Sequence, residues 1–566
     1  MSTMVKRWRG PGIYERWMLL CVALATLLRV VLIFFNWPYT DSDEGNMGVL
    51  ALHVAFQGDH PVFFYGGNYL GPLEGYLAAP LFRLFGSSLF MLRVPLVLFF
   101  LIFLIGMYYL VRMLYESRGY ALAMVMLLSL GSPDVLFLQL RASGEYPELE
   151  MFVALMCLIA TGLALTFAPG QPEDARARWK RIGLYALLGL VIGQALWVDM
   201  LAGPFVLAVV VLLVIFCRGE LLRWPGLGLL IGLIVGGLPL IYYNLTAPWY
   251  ENSLFVLFGQ SGAGASQFAA AHMTWLNKLA GMFFISLPMA TGGAWSCAPA
   301  VFPPAGTYTS ATVPCIIAQG GWSAGYLLLG VITTGAALLV LKRQAGPALR
   351  LLRKATSADE QTRRQMVLQC GRLAVLVGAG LTLLAYTISA NPALYPDTAF
   401  RYLTCLFLVL PILLWPLWRG LSQRRNTVRW WMRAALLLLV VAILATGTVR
   451  SLLQMPVTQA RFEEQQTLVQ DLQQAGATRL YSDYWTCNIL IYLSDEKIIC
   501  SAVEKDMRPA QDRYLPYRTI VRSTPHPGYI FAAGSPQELI MQQRAAANPS
   551  HYRIYHFFEY VVYQEI

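Results

Sequence analysis

Asp41, Ser42, Asp43 and Glu44 follow directly on the first long apolar run, residues 17–35. They set three carboxylates beside a membrane surface, where charge is costly and seldom without a purpose. In an extended or turning segment Asp41 and Asp43 point the same way. Either can then coordinate a divalent cation such as Mg or Mn, or take a proton from an attacking hydroxyl. A structural role competes with both: Asp43 precedes a helix-compatible run, Gly45–Phe56, and its carboxylate can cap the free N–H groups there. Capping needs one acid, and this segment has three.

The next chemistry-bearing stretch is Gly58-Asp59-His60, followed by Tyr65-Gly66-Gly67-Asn68-Tyr69-Leu70-Gly71-Pro72-Leu73-Glu74. Glycine at this density lets backbone approach a ligand closely, although an ordinary turn-rich loop has the same composition. Phe63, Phe64, Tyr65, Tyr69 and Tyr76 suit a surface segment lying at the membrane. Glu145 and Glu148 form a second acidic element, equally suited to a helix start. Asp199 sits in a short turn between two apolar runs. The six histidines show no metal-ligand spacing and read as surface residues, His60 lying nearest the acids.

The elements that must position these residues are membrane helices. The chain is 57% hydrophobic and 13% charged, which excludes an ordinary soluble protein of 566 residues. Runs of about 20 apolar residues can span a bilayer, and about eleven occur, near 17–35, 88–110, 119–137, 148–168, 182–198, 200–217, 225–243, 321–341, 372–390, 402–418 and 430–449. The break between 182–198 and 200–217 reads as a tight turn, from Asp199 and Gly203-Pro204. Residues 276–290 are apolar but short and read as interfacial or re-entrant. The N-terminal run lacks a small-residue cleavage site and reads as the first span.

An inward N-terminus places Lys6-Arg7-Arg9, Arg176/Arg178/Lys180/Arg181, the Arg350–Arg364 run and Arg424/Arg425/Arg429/Arg433 in the cytoplasm. Few basic residues fall on the outer loops: Arg83, Arg141, Lys278 and Arg401. This is the positive-inside pattern, and it accounts for the net charge of +11 without nucleic acid. Residues 1–449 then form the membrane domain, with outer loops 36–87 and 244–320. Residues 450–566 form a small extracytoplasmic α/β domain, with a helical pattern at Glu463–Gln474 and strands at 479–481, 489–493, 498–500, 529–532 and 552–563. Of nine cysteines, Cys297/Cys315 and Cys487/Cys500 fall on the outer side, where disulfides and free thiols are both open readings. There is no P-loop, GxGxxG or CxxC, so nothing suggests an ATP- or dinucleotide-dependent enzyme.

The order of these elements, a span, an acidic pair, a helical stretch, Gly-Asp, an aromatic and glycine-rich hairpin, then a span, resembles the first outer loop of GT-C-fold glycosyltransferases. These include the protein O-mannosyltransferases and the aminoarabinose transferases, and the bacterial glycosyltransferase family 39-like branch is most similar. Tyr65–Pro80, Gly193/Trp197/Asp199 and Tyr481–Ser501 carry the likeness. The resemblance implies an inverting, membrane-embedded transferase. It would move a sugar from a polyprenyl-phosphate donor to an acceptor hydroxyl on a glycan, lipid or protein, at the outer face of the plasma (inner) membrane, as in cell-envelope glycosylation. Asp43 matches the expected base, Glu44 its neighbour, and Asp41 is an alternative base. A lysine that the aminoarabinose enzymes carry in the hairpin is absent here, where Gly71-Pro72-Leu73-Glu74 stands. Another cation must meet the phosphate: Arg401, whose Arg401-Tyr402 pair has a parallel in the family, or Arg141. Snorkelling is the competing account of both. Arg83 and Arg93 are expected to flank a span. A flippase or transporter of lipid-linked substrates, or a non-catalytic glycan-assembly subunit, is the alternative, although transporters usually place charge mid-span.

Overall fold

The computed structural model describes residues 12–167, 175–294, 313–351, 357–422 and 427–566. Among these, nine helices are long and apolar enough to cross a membrane, or eleven if two bent pairs each count as one span. The bent pairs are Arg118–Leu128 with Pro133–Leu140, and Trp224–Gly236 with Leu238–Thr246. The chain is an integral membrane protein with a mostly helical body and a small C-terminal sheet.

The chain divides into two compact units. The first comprises residues 1–28, 99–139 and 146–450, and the second residues 29–98, 140–145 and 451–566. In the first unit, glycine sets helix distance. A Cβ on Gly189 would lie 2.0 Å from the Leu229 carbonyl oxygen, and one on Gly232 would lie 2.0 Å from that of Ala186. The Ala175–Val198 and Trp224–Gly236 helices therefore touch backbone to backbone, the small-residue contact that membrane helices favour. Between Val198 and the next helix, Asp199 caps a short turn by accepting from Leu201 N at 2.8 Å. The stretch 276–290 is covered by three abutting helical pieces, Trp275–Gly281, Met282–Ser286 and Leu287–Thr291.

The second unit holds the sheet. Its strands are β1 (Arg479–Ser482), β2 (Ile499–Ala502), β3 (Gly528–Ala532), β4 (Tyr552–Phe557) and β5 (Tyr560–Glu565), in the order β2-β1-β3-β5-β4. β1 is parallel to β2 and β3, whereas β3–β5 and β4–β5 are antiparallel.

Two expectations about the tail need correcting. Residues 489–493 are helical, inside Tyr484–Leu493, because Asp483 caps that helix by accepting from Trp485 N and Thr486 N. Residues 552–563 are a hairpin that turns at Phe558-Glu559, not one strand. The helical pattern expected at Glu463–Gln474 is present, as the end of a 48-residue helix, Thr427–Gln474, that begins in the last apolar run.

Candidate functional site

The acidic segment is a helix start. Asp41 alone is extended (φ −136°, ψ −178°), and the helix runs Ser42–Leu52. Asp41, not Asp43, is the cap: it accepts from Glu44 N at 3.0 Å. This corrects the expected capping role of Asp43 and the expectation that Asp41 and Asp43 point the same way along an extended segment. On a helix the three carboxylates fan out, and each meets a different arginine.

Asp41 pairs with Arg141. Burial pushes the Asp41 carboxyl up and the Arg141 charge opposes it. Glu44 is fully buried and takes both arms of Arg93, at 2.7 and 2.6 Å. Arg93 also donates to Pro38 O at 2.8 Å. It lies inside the Leu89–Tyr115 helix, fully buried, and does not simply flank a span. Asp43 accepts from the Tyr484 hydroxyl at 2.5 Å and from Arg513 Nη2 at 3.1 Å, and Arg513 Nε donates to the Tyr484 oxygen at 2.7 Å.

The segment 140–145 is held from three sides. Arg141 is taken by Asp41, Ala142 N donates to Glu44 Oε1 at 2.9 Å, and Gly144 N donates to Glu74 Oε2 at 3.2 Å. Glu145, at φ 74°, completes the turn in a buried setting. Glu74 thus serves this turn.

Helix packing sets the position of Asp43. A Cβ on Gly45 would lie 2.6 Å from the Asn488 carbonyl oxygen, and one on Gly48 would lie 2.4 Å from the Tyr492 ring. Ser42 Oγ donates to Tyr484 O at 2.5 Å and receives Asn488 Nδ2 at 2.8 Å. The acidic helix therefore lies directly on the Tyr484–Leu493 helix. Cys487 of that helix is disulfide-bonded to Cys500 on β2. The hairpin contributes Gly66, at φ +73°, which sits over the Arg513 backbone and stem. Phe64 and Tyr484 lie 5.3 and 5.5 Å from the guanidinium.

Cys315 belongs to the first unit and stands apart from these acids in the sequence. Cys315, half-buried in the first turn of the Val313–Leu351 helix, is disulfide-bonded and so is not a free thiol. Cys297, its expected partner, lies outside the described residues, and the Cys297/Cys315 pairing stays an expectation from the sequence.

Beside the Asp43 cluster lies a second one. His53 is fully buried, contrary to the surface placement expected for the histidines. Its Nδ1 is 2.8 Å from the Tyr65 hydroxyl, and its Nε2 is 2.9 Å from Glu496 and 3.2 Å from the Tyr517 hydroxyl. Burial pushes the Glu496 carboxyl up, but hydrogen bonds from His53 and Tyr517 outweigh it and hold it below its ordinary value. His60 is exposed and Tyr69 half-buried.

In the other unit, Asp199 is buried and feels the charge of Arg401. The Arg401 guanidinium lies 5.5 Å from the Tyr402 ring. Glu148 is fully buried at the start of the Tyr146–Thr166 helix.

Sequence reading missed Arg93, Tyr484, Arg513, His53 and Glu496. Arg513 lies 470 positions from Asp43, and no local pattern connects them.

As a metal set, Asp41 and Asp43 fit poorly. Each is already neutralised by a guanidinium that a cation would have to displace. Among the described residues no three His, Cys, Asp or Glu side chains cluster around a metal position.

No protein-family model and no curated protein matches the chain. Solved structures do. ArnT from Cupriavidus metallidurans bound to undecaprenyl phosphate matches at 13% identity and TM-score 0.45, over 97% of this chain and 98% of that one. Its apo state matches at 13% identity and TM-score 0.41, over 98% and 99%. The Archaeoglobus fulgidus oligosaccharyltransferase in complex with Zn and sulfate matches at 12% identity and TM-score 0.47, over 90% of this chain and 68% of that one. Identity and TM-score at this level leave the reaction to the residues themselves.

Proposed function

We propose that this protein transfers a sugar from a polyprenyl-phosphate donor to an acceptor hydroxyl at the extracytoplasmic face of the inner membrane, with Asp43 as base. The observation that carries the reading is how differently the three acids are used. Glu44 is sealed in a buried ion pair, and Asp41 is committed to a helix cap and Arg141. Asp43 is about as exposed as Asp41, 14% against 16%, but it is not the helix cap and sits beside a phenol and a guanidinium.

Arg513 gives the site a working cycle. Its guanidinium and the Tyr484 hydroxyl both engage the Asp43 carboxylate. A donor phosphate competes for the guanidinium, which can grip two phosphate oxygens at once. The carboxylate released from that pair is then free to take the acceptor's proton as the acceptor oxygen attacks the anomeric carbon. The bond to the lipid phosphate breaks, and the phosphate leaves as an anion without needing a strong acid. One displacement on the opposite face inverts the anomeric centre. Arg401, with Tyr402, and Asp199 remain proposed donor-binding residues.

The test is to incubate purified protein with labelled polyprenyl-phosphate sugar and measure released lipid phosphate. Asp43→Asn is expected to lower kcat by about 10²–10⁴-fold, the usual worth of a positioned base. Normal turnover by that variant overturns the assignment of Asp43.

A further inference from the structure

The second unit contains an open cleft of about 700 Å³, a size that holds one or two sugar rings. It is walled by the long helix through Arg461 and Glu464, by Tyr39 and Thr40 just before the acidic segment, and by Phe558 and Glu559 at the β4–β5 turn. Tyr39 is 51% exposed and Phe558 58% exposed. Phe558 also has a φ of 49°. A bulky side chain in the left-handed region is strained, and such strain tends to persist where a site needs that side chain.

We infer that this cleft binds the acceptor, and that the acceptor presents a pyranoside ring. A pyranoside has an apolar C–H face and an edge of hydroxyls. The cleft offers the complement of each: aromatic rings for the face, and carboxylates, a guanidinium and a threonine hydroxyl for the edge. The cleft also connects to Asp43 through continuous structure. Tyr560, in its lining, is hydrogen-bonded to Thr486. Thr486 Oγ1 donates to Asp483 at 2.8 Å, and the next residue, Tyr484, donates to Asp43. Thr40 joins the cleft to Asp41 directly through the chain. The inference rests on the transfer reading for its purpose but not for its test.

The experiment is saturation-transfer NMR on the full-length protein in detergent, with methyl pyranosides of glucose, galactose, mannose and N-acetylglucosamine as probes. At least one probe should receive saturation, strongest on its ring C–H protons. Tyr39→Ala and Phe558→Gly should each weaken binding by about tenfold, the scale of one lost aromatic contact. Phe558→Gly also relieves the backbone, so its thermal midpoint should hold or rise, which separates lost binding from lost fold. Saturation in no probe, or saturation unchanged in both aromatic variants, overturns the inference while leaving the Asp43 test untouched. Probe binding without any transfer activity supports the cleft and counts against the base.

Discussion

Asp41 holds Arg141, 100 positions further along the chain, while its other carboxylate oxygen caps the helix that carries Asp43. One side chain thus fixes both the start of the acidic helix and the turn at 140–145. Replacing it separates the two jobs. Asp41→Asn keeps a good cap but loses the ion pair, and Asp41→Ala loses both. The cap is worth about 1 kcal/mol. Stranding a buried guanidinium costs about 3–5 kcal/mol. Both variants should unfold earlier in a thermal scan, Ala before Asn. If Asn matches the parent, the Arg141 pair contributes nothing.

The apolar runs that mark the spans were legible because a bilayer demands about 20 consecutive apolar residues, a signal no loop imitates. The acidic segment was legible as a place but not as an arrangement. Which acid caps depends on where the backbone leaves the extended region, and that shifted the cap from Asp43 to Asp41. Ile489–Leu493 resembles a strand by its branched residues, yet Asp483 starts a helix first. The hairpin at 552–563 hid its turn because Phe558, not glycine or asparagine, occupies the positive-φ position. The partners of Asp43 and His53 come from residues 484, 496, 513 and 517, and no periodicity spans that separation.

Glu44 should behave as a strut. With Arg93 it forms a pair in which both side chains are fully buried. Glu44→Gln leaves a buried guanidinium under-compensated, at a cost of about 3–5 kcal/mol. The expected outcome is a low yield of folded protein, with kcat per folded molecule close to normal. Arg93→Met combined with Glu44→Met should recover much of the yield, since an apolar pair of similar volume removes both charges. A fall in kcat comparable to that of Asp43→Asn would place Glu44 in the chemistry instead.

The His53 cluster gives the second unit an acid limit. The folded Glu496 carboxyl titrates below the ordinary 4.5. A depressed folded value means that the stabilisation is complete above the unfolded pKa and is lost as pH falls through the folded one. The thermal midpoint of the parent should therefore exceed that of Glu496→Gln by a constant margin near neutrality. The margin should shrink below about pH 4.5. A margin that grows on acidification contradicts the assignment.

The Cys487–Cys500 disulfide should matter to turnover as well as to stability. It closes a loop with a sequence separation of 13, for which the chain-entropy model gives about 3 kcal/mol. Cys487 also lies on the helix that supplies Tyr484 to Asp43 and Asn488 to Ser42. Loosening that helix moves a hydrogen-bond donor away from the proposed base, and small displacements of positioned groups are expensive in rate. Cys487→Ser, or reductant added to the parent, should lower the thermal midpoint and speed amide exchange across 484–493. It should also reduce kcat more than it raises KM for the lipid-linked donor. A loss of stability with kcat intact would show that Tyr484 keeps its place without the disulfide, and would confine the bond to holding the helix against β2.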